Sequence, residues 1–166
     1  IKKGGDVYLT QDAELDCSEH FFSAKTRIYG NGKTIKLNNT FHVDLNCEMA
    51  LYDVTLDLNQ YSMVVSGAKT VLTIGKGTTV KNGFANNGGA AIMYVNRKII
   101  MEEGALITDC KAQYGGGGIR THQGTFEMKG VKITNCTGAG VMADAGSTFI
   151  VSGDATITGN VKADGT

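Results

Sequence analysis

The side chains best suited to chemistry in this sequence are an arginine, a histidine and an aspartate. Arg120 and His122 lie two residues apart, and Asp144 occupies the corresponding part of the next sequence repeat. A histidine beside a carboxylate is the arrangement of a general base and the group that orients it. The sequence places no nucleophile near this pair, so we interpret it as a surface ion pair.

Carboxylates matter next, because enzymes that cleave polysaccharides use clusters of them. When the repeats described below are aligned, the outward positions of the first and second strands form two columns. The first column is Tyr29, Tyr52, Gly75, Glu102, Lys129 and Ser152, and the second is Lys36, Asp57, Lys81, Thr108, Thr134 and Thr158. Each column holds a single carboxylate. We therefore predict no catalytic residues and a protein that is not an enzyme. A polysaccharide lyase or a glycoside hydrolase-like activity is the alternative.

The four cysteines are candidates for metal binding or disulfide formation. They lack Cys-x-x-Cys spacing and have no histidine at a suitable spacing, so we predict no metal site and no cofactor. Cys110 and Cys136 occupy equivalent places in two repeats, which stacks them about 4.8 Å apart. That separation suits a disulfide, but stacked side chains point the same way. Buried thiols are favoured, and a disulfide stays open as the alternative.

Asn82, Asp109 and Asn135 recur at one position, shortly after an apolar residue of each repeat. Asparagine and aspartate tolerate bent backbone conformations, and stacked amides hydrogen-bond along the stack. We predict a structural ladder of turns here rather than a metal or catalytic site.

All these residues are positioned by recurring apolar residues. One series is spaced 23, 23, 27, 27 and 23 residues apart and consists of Ile28, Leu51, Ile74, Met101, Met128 and Val151. A second series follows and consists of Ile35, Leu56, Val80, Ile107, Ile133 and Ile157. A third consists of Val64, Ile92, Ile119 and Val141. Three short strands per unit predict an all-β parallel β-solenoid of about six turns of roughly 22 to 27 residues.

Alternation within the strands predicts which side chains form the core. The residues expected to point inward from the first strands of later turns are Ile99, Met101, Phe126, Met128, Phe149 and Val151. Stacking the turns removes their apolar area from water, at about 25 cal/mol per Å². A leucine-rich repeat is the second choice of fold, because residues 51–59 resemble its signature, but no later unit keeps it.

Composition limits the functions that the chain can have. Sixteen basic residues balance sixteen acidic ones, so no global field draws the chain to nucleic acid or anionic membrane. No apolar run approaches the roughly 18 residues that span a bilayer. We expect an irregular N-terminal capping turn over residues 1–25 and solenoid turns over residues 26–166 that continue in a longer protein. Any membrane attachment is expected outside this segment.

Short motifs resemble those of a family of surface proteins. Residues 84–87 (Phe-Ala-Asn-Asn), followed by residues 88–92 (Gly-Gly-Ala-Ala-Ile), are similar to the paired Phe-x-x-Asn and Gly-Gly-Ala-Ile motifs of polymorphic outer-membrane proteins. More broadly, the chain resembles the right-handed parallel β-helix passengers of bacterial surface adhesins, within the pectate-lyase-like superfamily. The resemblance implies a right-handed single-stranded parallel β-helix, export, display on the bacterial cell surface and adhesion.

The outward positions of the third strands provide the binding hypothesis. These partner-binding candidates are Met93, Arg120, His122, Met142 and Asp144. Methionine is an adaptable contact residue, and arginine is frequent at interface hot spots. We predict that this face binds a host-surface protein or glycan. A flanking loop that covers the methionines is the alternative.

Together these observations predict a non-catalytic segment of an extracellular bacterial surface protein. We expect it to adhere to host or matrix partners and to act as a rigid display stalk. A purely structural spacer that binds nothing is a further alternative.

Overall fold

A computed structural model of the chain describes residues 4–17, 25–44, 46–67, 69–95 and 98–162, without the side chains of residues 94 and 95. In these residues the protein is all-β, and its parallel strands stack as a β-solenoid of about six turns. The fold predicted from the repeat spacing is therefore confirmed. No helix in the described residues is long and apolar enough to cross a membrane. The predicted capping turn, residues 1–25, lies partly outside the described ranges. Residues 163–166 lie outside them entirely.

Eighteen short strands make up the described turns. In chain order they are β1 (Gly5–Tyr8), β2 (Ala13–Leu15), β3 (Thr26–Leu37), β4 (Phe41–Val43), β5 (Glu48–Asp57), β6 (Met63–Val65), β7 (Val71–Ile74), β8 (Thr79–Lys81), β9 (Phe84–Asn87), β10 (Ile92–Val95), β11 (Lys98–Met101), β12 (Leu106–Thr108), β13 (Lys111–His122), β14 (Thr125–Lys129), β15 (Lys132–Thr134), β16 (Thr137–Ala143), β17 (Thr148–Ser152) and β18 (Thr156–Thr158).

The first and second strands of the turns belong to one 12-stranded sheet, because the long strands β3 and β5 contribute to both stacks. The first stack runs from β1 through β3, β5, β7, β11 and β14 to β17. The second runs from β2 through β3, β5, β8, β12 and β15 to β18. Both predicted apolar series align in register along these stacks, which places matching side chains directly above one another.

The third strands form a separate 6-stranded sheet in the order β16-β13-β10-β6-β4, with β9 paired to β13. Ile92, Ile119 and Val141 share one column, as predicted. Val64 does not, because Met63 pairs with Ile92 and is fully buried. The prediction for Val64 was wrong by one residue, which turns its side chain to the opposite face. No glycine-rich segment precedes β6, the strand of Met63 and Val64, so its start was not marked in the sequence.

The core is a set of vertical columns of apolar side chains. Ile99, Met101, Phe126 and Met128 are fully buried, as predicted. Val151 stands in the same column as Met128 but is 52% exposed. The prediction for Val151 was right in register and wrong in burial, because β17 is the last strand of its stack among the described residues. The partly buried ring of Phe149 stacks in parallel on Phe126, with the ring centroids 5.0 Å apart.

The predicted column of Asn82, Asp109 and Asn135 forms turns of left-handed backbone, with φ of 59°, 55° and 55°. Asparagine and aspartate adopt this conformation more readily than other residues that have a side chain. Asn82 Nδ2 also donates a hydrogen bond to Asp57 Oδ1 at 3.1 Å. The column therefore turns the chain at the end of the second strand, as predicted.

All four cysteines are free and buried. Cys110 and Cys136 directly follow the left-handed residues and stack in adjacent turns. The Cys110 thiol donates a hydrogen bond to Cys136 Sγ; this bond, together with burial, raises the pKa of Cys110, and the same bond lowers the pKa of Cys136. Each Sγ also lies within hydrogen-bonding distance of the carbonyl oxygen two residues earlier, at 3.2 and 3.3 Å. The pair is thus built into the turn as thiols.

Candidate functional site

The outward side of the third strands, called the third-strand face below, carries the five residues predicted to bind a partner. The strand register brings these residues together. Met93 pairs with Arg120, and Arg120 pairs with Met142, so the three form one outward column. All three side chains are partly exposed. This column follows from the buried column of Ile92, Ile119 and Val141 next to it, because neighbouring residues in a strand face opposite sides of the sheet.

Arg120 is held in place by two acceptors. Its Nε donates to Asp144 Oδ2 at 3.0 Å, and its Nη1 donates to Asn87 Oδ1 at 2.8 Å. The arginine side chain is 27% exposed and the aspartate 17%. This partial burial strengthens the charge-assisted hydrogen bond between Arg120 and Asp144 relative to a fully solvated pair. The guanidinium group is therefore oriented before any partner arrives.

His122 completes the cluster around Asp144. Its Nδ1 lies 3.4 Å from Asp144 Oδ2, the oxygen that also accepts from Arg120. The histidine side chain is 50% exposed. Protonation of His122 would give Asp144 two cationic partners on one oxygen. The predicted ion pair is thus present in its geometry, and it also includes Arg120.

Two contributors to this face were missed from the sequence. Asn87 lies at the end of β9, before the glycine-rich bend, and reaches Arg120 from there. Tyr114 pairs with Asn87 in the next turn and is 72% exposed. The repeat alignment started each third strand after its glycines, so residues before the bend were not assigned to this face. An exposed tyrosine next to a glycine run was the available signal.

Met93 packs across the bend rather than projecting freely. A Cβ at Gly88 would lie 2.6 Å from Met93 Sδ, so the glycine leaves room for the thioether. Gly88 also has a φ of 129°, a backbone conformation that residues other than glycine rarely adopt. The methionine is partly covered by its own strand bend and partly open to solvent.

This third-strand face, defined as Asn87, Met93, Tyr114, Arg120, His122, Met142 and Asp144, combines a fixed cation with partly exposed apolar surface. Tyrosine, arginine and methionine are the residues enriched at protein interfaces. In protein interfaces probed by alanine substitution, arginine and tyrosine residues near the centre are frequent among those that carry most of the binding energy. The arrangement is suited to contact with a macromolecule.

Among the described residues, no group of three or more histidine, cysteine, aspartate or glutamate side chains is placed to hold a metal ion. Comparisons with protein-family models, with curated proteins and with solved structures find no match to this chain. Its function has to be inferred from its own residues.

Proposed function

We propose that the chain is a non-catalytic β-solenoid segment of an exported bacterial surface protein. It displays the third-strand face to the exterior and adheres through it to a host-surface or matrix protein. The stacked turns supply the rigid support, since each turn is hydrogen-bonded to the next along its strands.

The observation that carries this proposal is the fixation of Arg120 between Asp144 and Asn87, with Met93 and Met142 above and below it. Binding normally costs conformational entropy when a long side chain is immobilised. Here the protein has already restricted that side chain by folding. A preorganised arginine between two adaptable methionines resembles the centre of a protein interface.

The pairing of the carboxylates supports a non-catalytic role. Glu127 Oε1 lies 2.8 Å from Lys98 Nζ, and Asp144 is paired with Arg120. Asp57 accepts hydrogen bonds from the turn residues Asn59 and Asn82. Glycoside hydrolysis requires two carboxylates that face one bond, with one of them protonated. These carboxylates instead have basic or amide partners.

The test is binding of the purified chain to immobilised fibronectin, laminin and collagen and to cultured epithelial cells. The variant Met93→Glu/Met142→Glu places two charges on the third-strand face and is expected to weaken binding by about tenfold or more. Arg120→Ala is expected to have a similar effect. A matched control, Ser152→Glu/Thr158→Glu, adds two charges at exposed positions of other strands and should bind normally.

Three results would contradict the proposal in different ways. Retention of binding in both face variants would place the adhesive surface elsewhere. Failure of the unmodified chain to bind any of these proteins or cells would favour the structural spacer. Release of unsaturated or reducing ends from polygalacturonate or host glycans would overturn the non-catalytic assignment.

A further inference from the structure

A second feature lies on the outward face of the first strands, away from the third-strand face. The rings of Tyr8, Tyr29 and Tyr52 stack along successive turns, with centroids 4.9 and 5.4 Å apart and planes tilted by 11° and 17°. Such a ladder holds each ring in one orientation. Burial raises the pKa of Tyr52, and Glu102 adds to the effect, so its hydroxyl stays protonated at neutral pH.

Beside the last ring of the ladder is an open groove of about 210 Å³. Tyr52, Ala50 and Thr73 are among the residues that line it, and we refer to the large Tyr52 side chain as its wall and to the short Ala50 and Thr73 side chains as its floor. These two short side chains follow Arg27 in the same outward column. The groove exists because the long side chain of Arg27 is succeeded by shorter ones in the next two turns.

The charged side chains that line the groove are Lys25, Arg27 and Glu48, and each is paired, Arg27 with Asp6 of the preceding turn. Lys25 Nζ lies 2.7 Å from Glu48 Oε2, and Arg27 Nη1 lies 3.2 Å from Asp6 Oδ1. Hydrogen bonding to Lys25 lowers the pKa of Glu48, and hydrogen bonding to Asp6 raises the pKa of Arg27. Both pairs are therefore ionised at neutral pH and carry no net charge. All four side chains are between 41% and 58% exposed, which leaves their remaining donors and acceptors available.

These properties select for one kind of ligand. The balanced charges offer little attraction to an anion or a cation as a whole. Paired carboxylate, ammonium and guanidinium groups instead offer acceptors and donors side by side, which matches neighbouring hydroxyl groups. The tyrosine wall and the alanine floor offer apolar contact to C–H groups. The groove is also smaller than the pockets of about 300 Å³ or more that hold drug-sized molecules.

We propose that this groove binds a single neutral hexopyranose ring of a glycan, with the rest of the sugar chain lying along the open face. The C–H side of the ring packs against Tyr52 and Ala50. Its hydroxyl groups bond to Glu48, Lys25 and Arg27. This site is separate from the third-strand face and goes beyond the proposed function, which concerns a protein partner.

The experiment is binding of the intact chain to an array of immobilised oligosaccharides, both neutral and terminated by sialic or uronic acid. We expect retention of neutral glycans. Thr73→Gln fills the groove from its floor, and Tyr52→Ala removes its wall, so each should weaken retention by about tenfold or more. Circular dichroism and thermal unfolding of each variant establish that the fold is intact.

The control is Lys129→Ala, in the same outward column as Tyr52 but several turns away, which should retain the same glycans as the unmodified chain. Absence of any retained glycan overturns the proposal, and so does retention confined to acidic glycans. Undiminished retention by a folded Thr73→Gln variant also overturns it. Because the array contains no protein partner, none of these results bears on adhesion through the third-strand face.

Discussion

The ring of Tyr52 lies against the backbone of Gly75 in the next turn. A Cβ at Gly75 would be 2.2 Å from both Cδ1 and Cε1 of the tyrosine. Any side chain there would force the ring to move, because contacts this short do not occur between non-bonded atoms. The tyrosine ladder therefore ends at a glycine that its last ring requires.

Replacement of this glycine should destabilise the protein. We expect Gly75→Ala to lower the free energy of unfolding by about 1–3 kcal/mol, because it overpacks a buried contact. In the Tyr52→Ala background the same change should cost less, since the ring is gone and only the backbone contact with Leu51 remains. Urea unfolding of the four members of this double-mutant cycle measures the difference. Equal costs in both backgrounds would contradict the contact.

The left-handed turn column gives a second prediction with a built-in control. Asn135 has a φ of 55°, and alanine in this region costs roughly 1–2 kcal/mol. Asn135→Ala is therefore expected to lower the thermal midpoint, while Asn135→Gly, which accepts positive φ freely, should change it much less. If glycine proves the more damaging substitution, the side chain and not the backbone conformation decides stability at this turn.

The aromatic pair in the core gives a third prediction. Phe126 is fully buried, so Phe126→Ala should cost about 3–5 kcal/mol of unfolding free energy. Phe149→Ala removes the other ring of the stack from a partly buried position and should cost clearly less. Denaturant titration of both variants provides the comparison. Equal losses would contradict the lower burial of Phe149.

Alkaline pH should destabilise the protein through its buried thiols. Burial raises the pKa of Cys17 and of Cys47 from 9.0 to about 11. Their stabilising contribution is thus complete below pH 9 and is lost as the pH rises toward 11, because the unfolded chain releases protons that the folded chain keeps. Each thiol should contribute a slope of up to about 1.4 kcal/mol per pH unit in that window.

The measurement is the unfolding free energy at pH 8, 9, 10 and 11 for the unmodified chain and for Cys17→Ala/Cys47→Ala. The variant starts from a lower stability, but its decline between pH 9 and 11 should be shallower. Parallel declines would show that other groups, such as the lysines, account for the alkaline loss.

Much of the third-strand face could be predicted from the sequence. Met93, Arg120 and Met142 were aligned correctly because each follows a β-branched core residue and a small-residue bend. Asn87 could not be assigned, since its contact with Arg120 depends on how the chain folds at the bend. Alignment of repeats shows which residues stack directly on one another. It does not show contacts between residues that are out of register, such as Asn87 and Arg120.

The groove shows the same limit more clearly. The column containing Tyr29, Tyr52 and Gly75 was read correctly from the repeats, but its members were not recognised as a wall next to an opening. A groove depends on the lengths of side chains in adjacent columns and on the direction in which each one leans. Those directions are set by ion pairs such as that of Lys25 with Glu48, which lie on consecutive turns.

The sequence by itself determined the parallel solenoid, its two main apolar columns and the outward alignment of Met93, Arg120 and Met142. It could do so because similar turns bury their apolar side chains only when matching positions stack on one another. That requirement makes apolar residues recur at nearly regular intervals in the sequence. Only the tertiary structure decided that Arg120 is held by Asp144 and Asn87 and that Tyr52 borders a groove. Asn87 and Arg120 are 33 residues apart, a separation that matches no repeat spacing, and the groove depends on how neighbouring side chains lean, so only the positions of the atoms reveal these features.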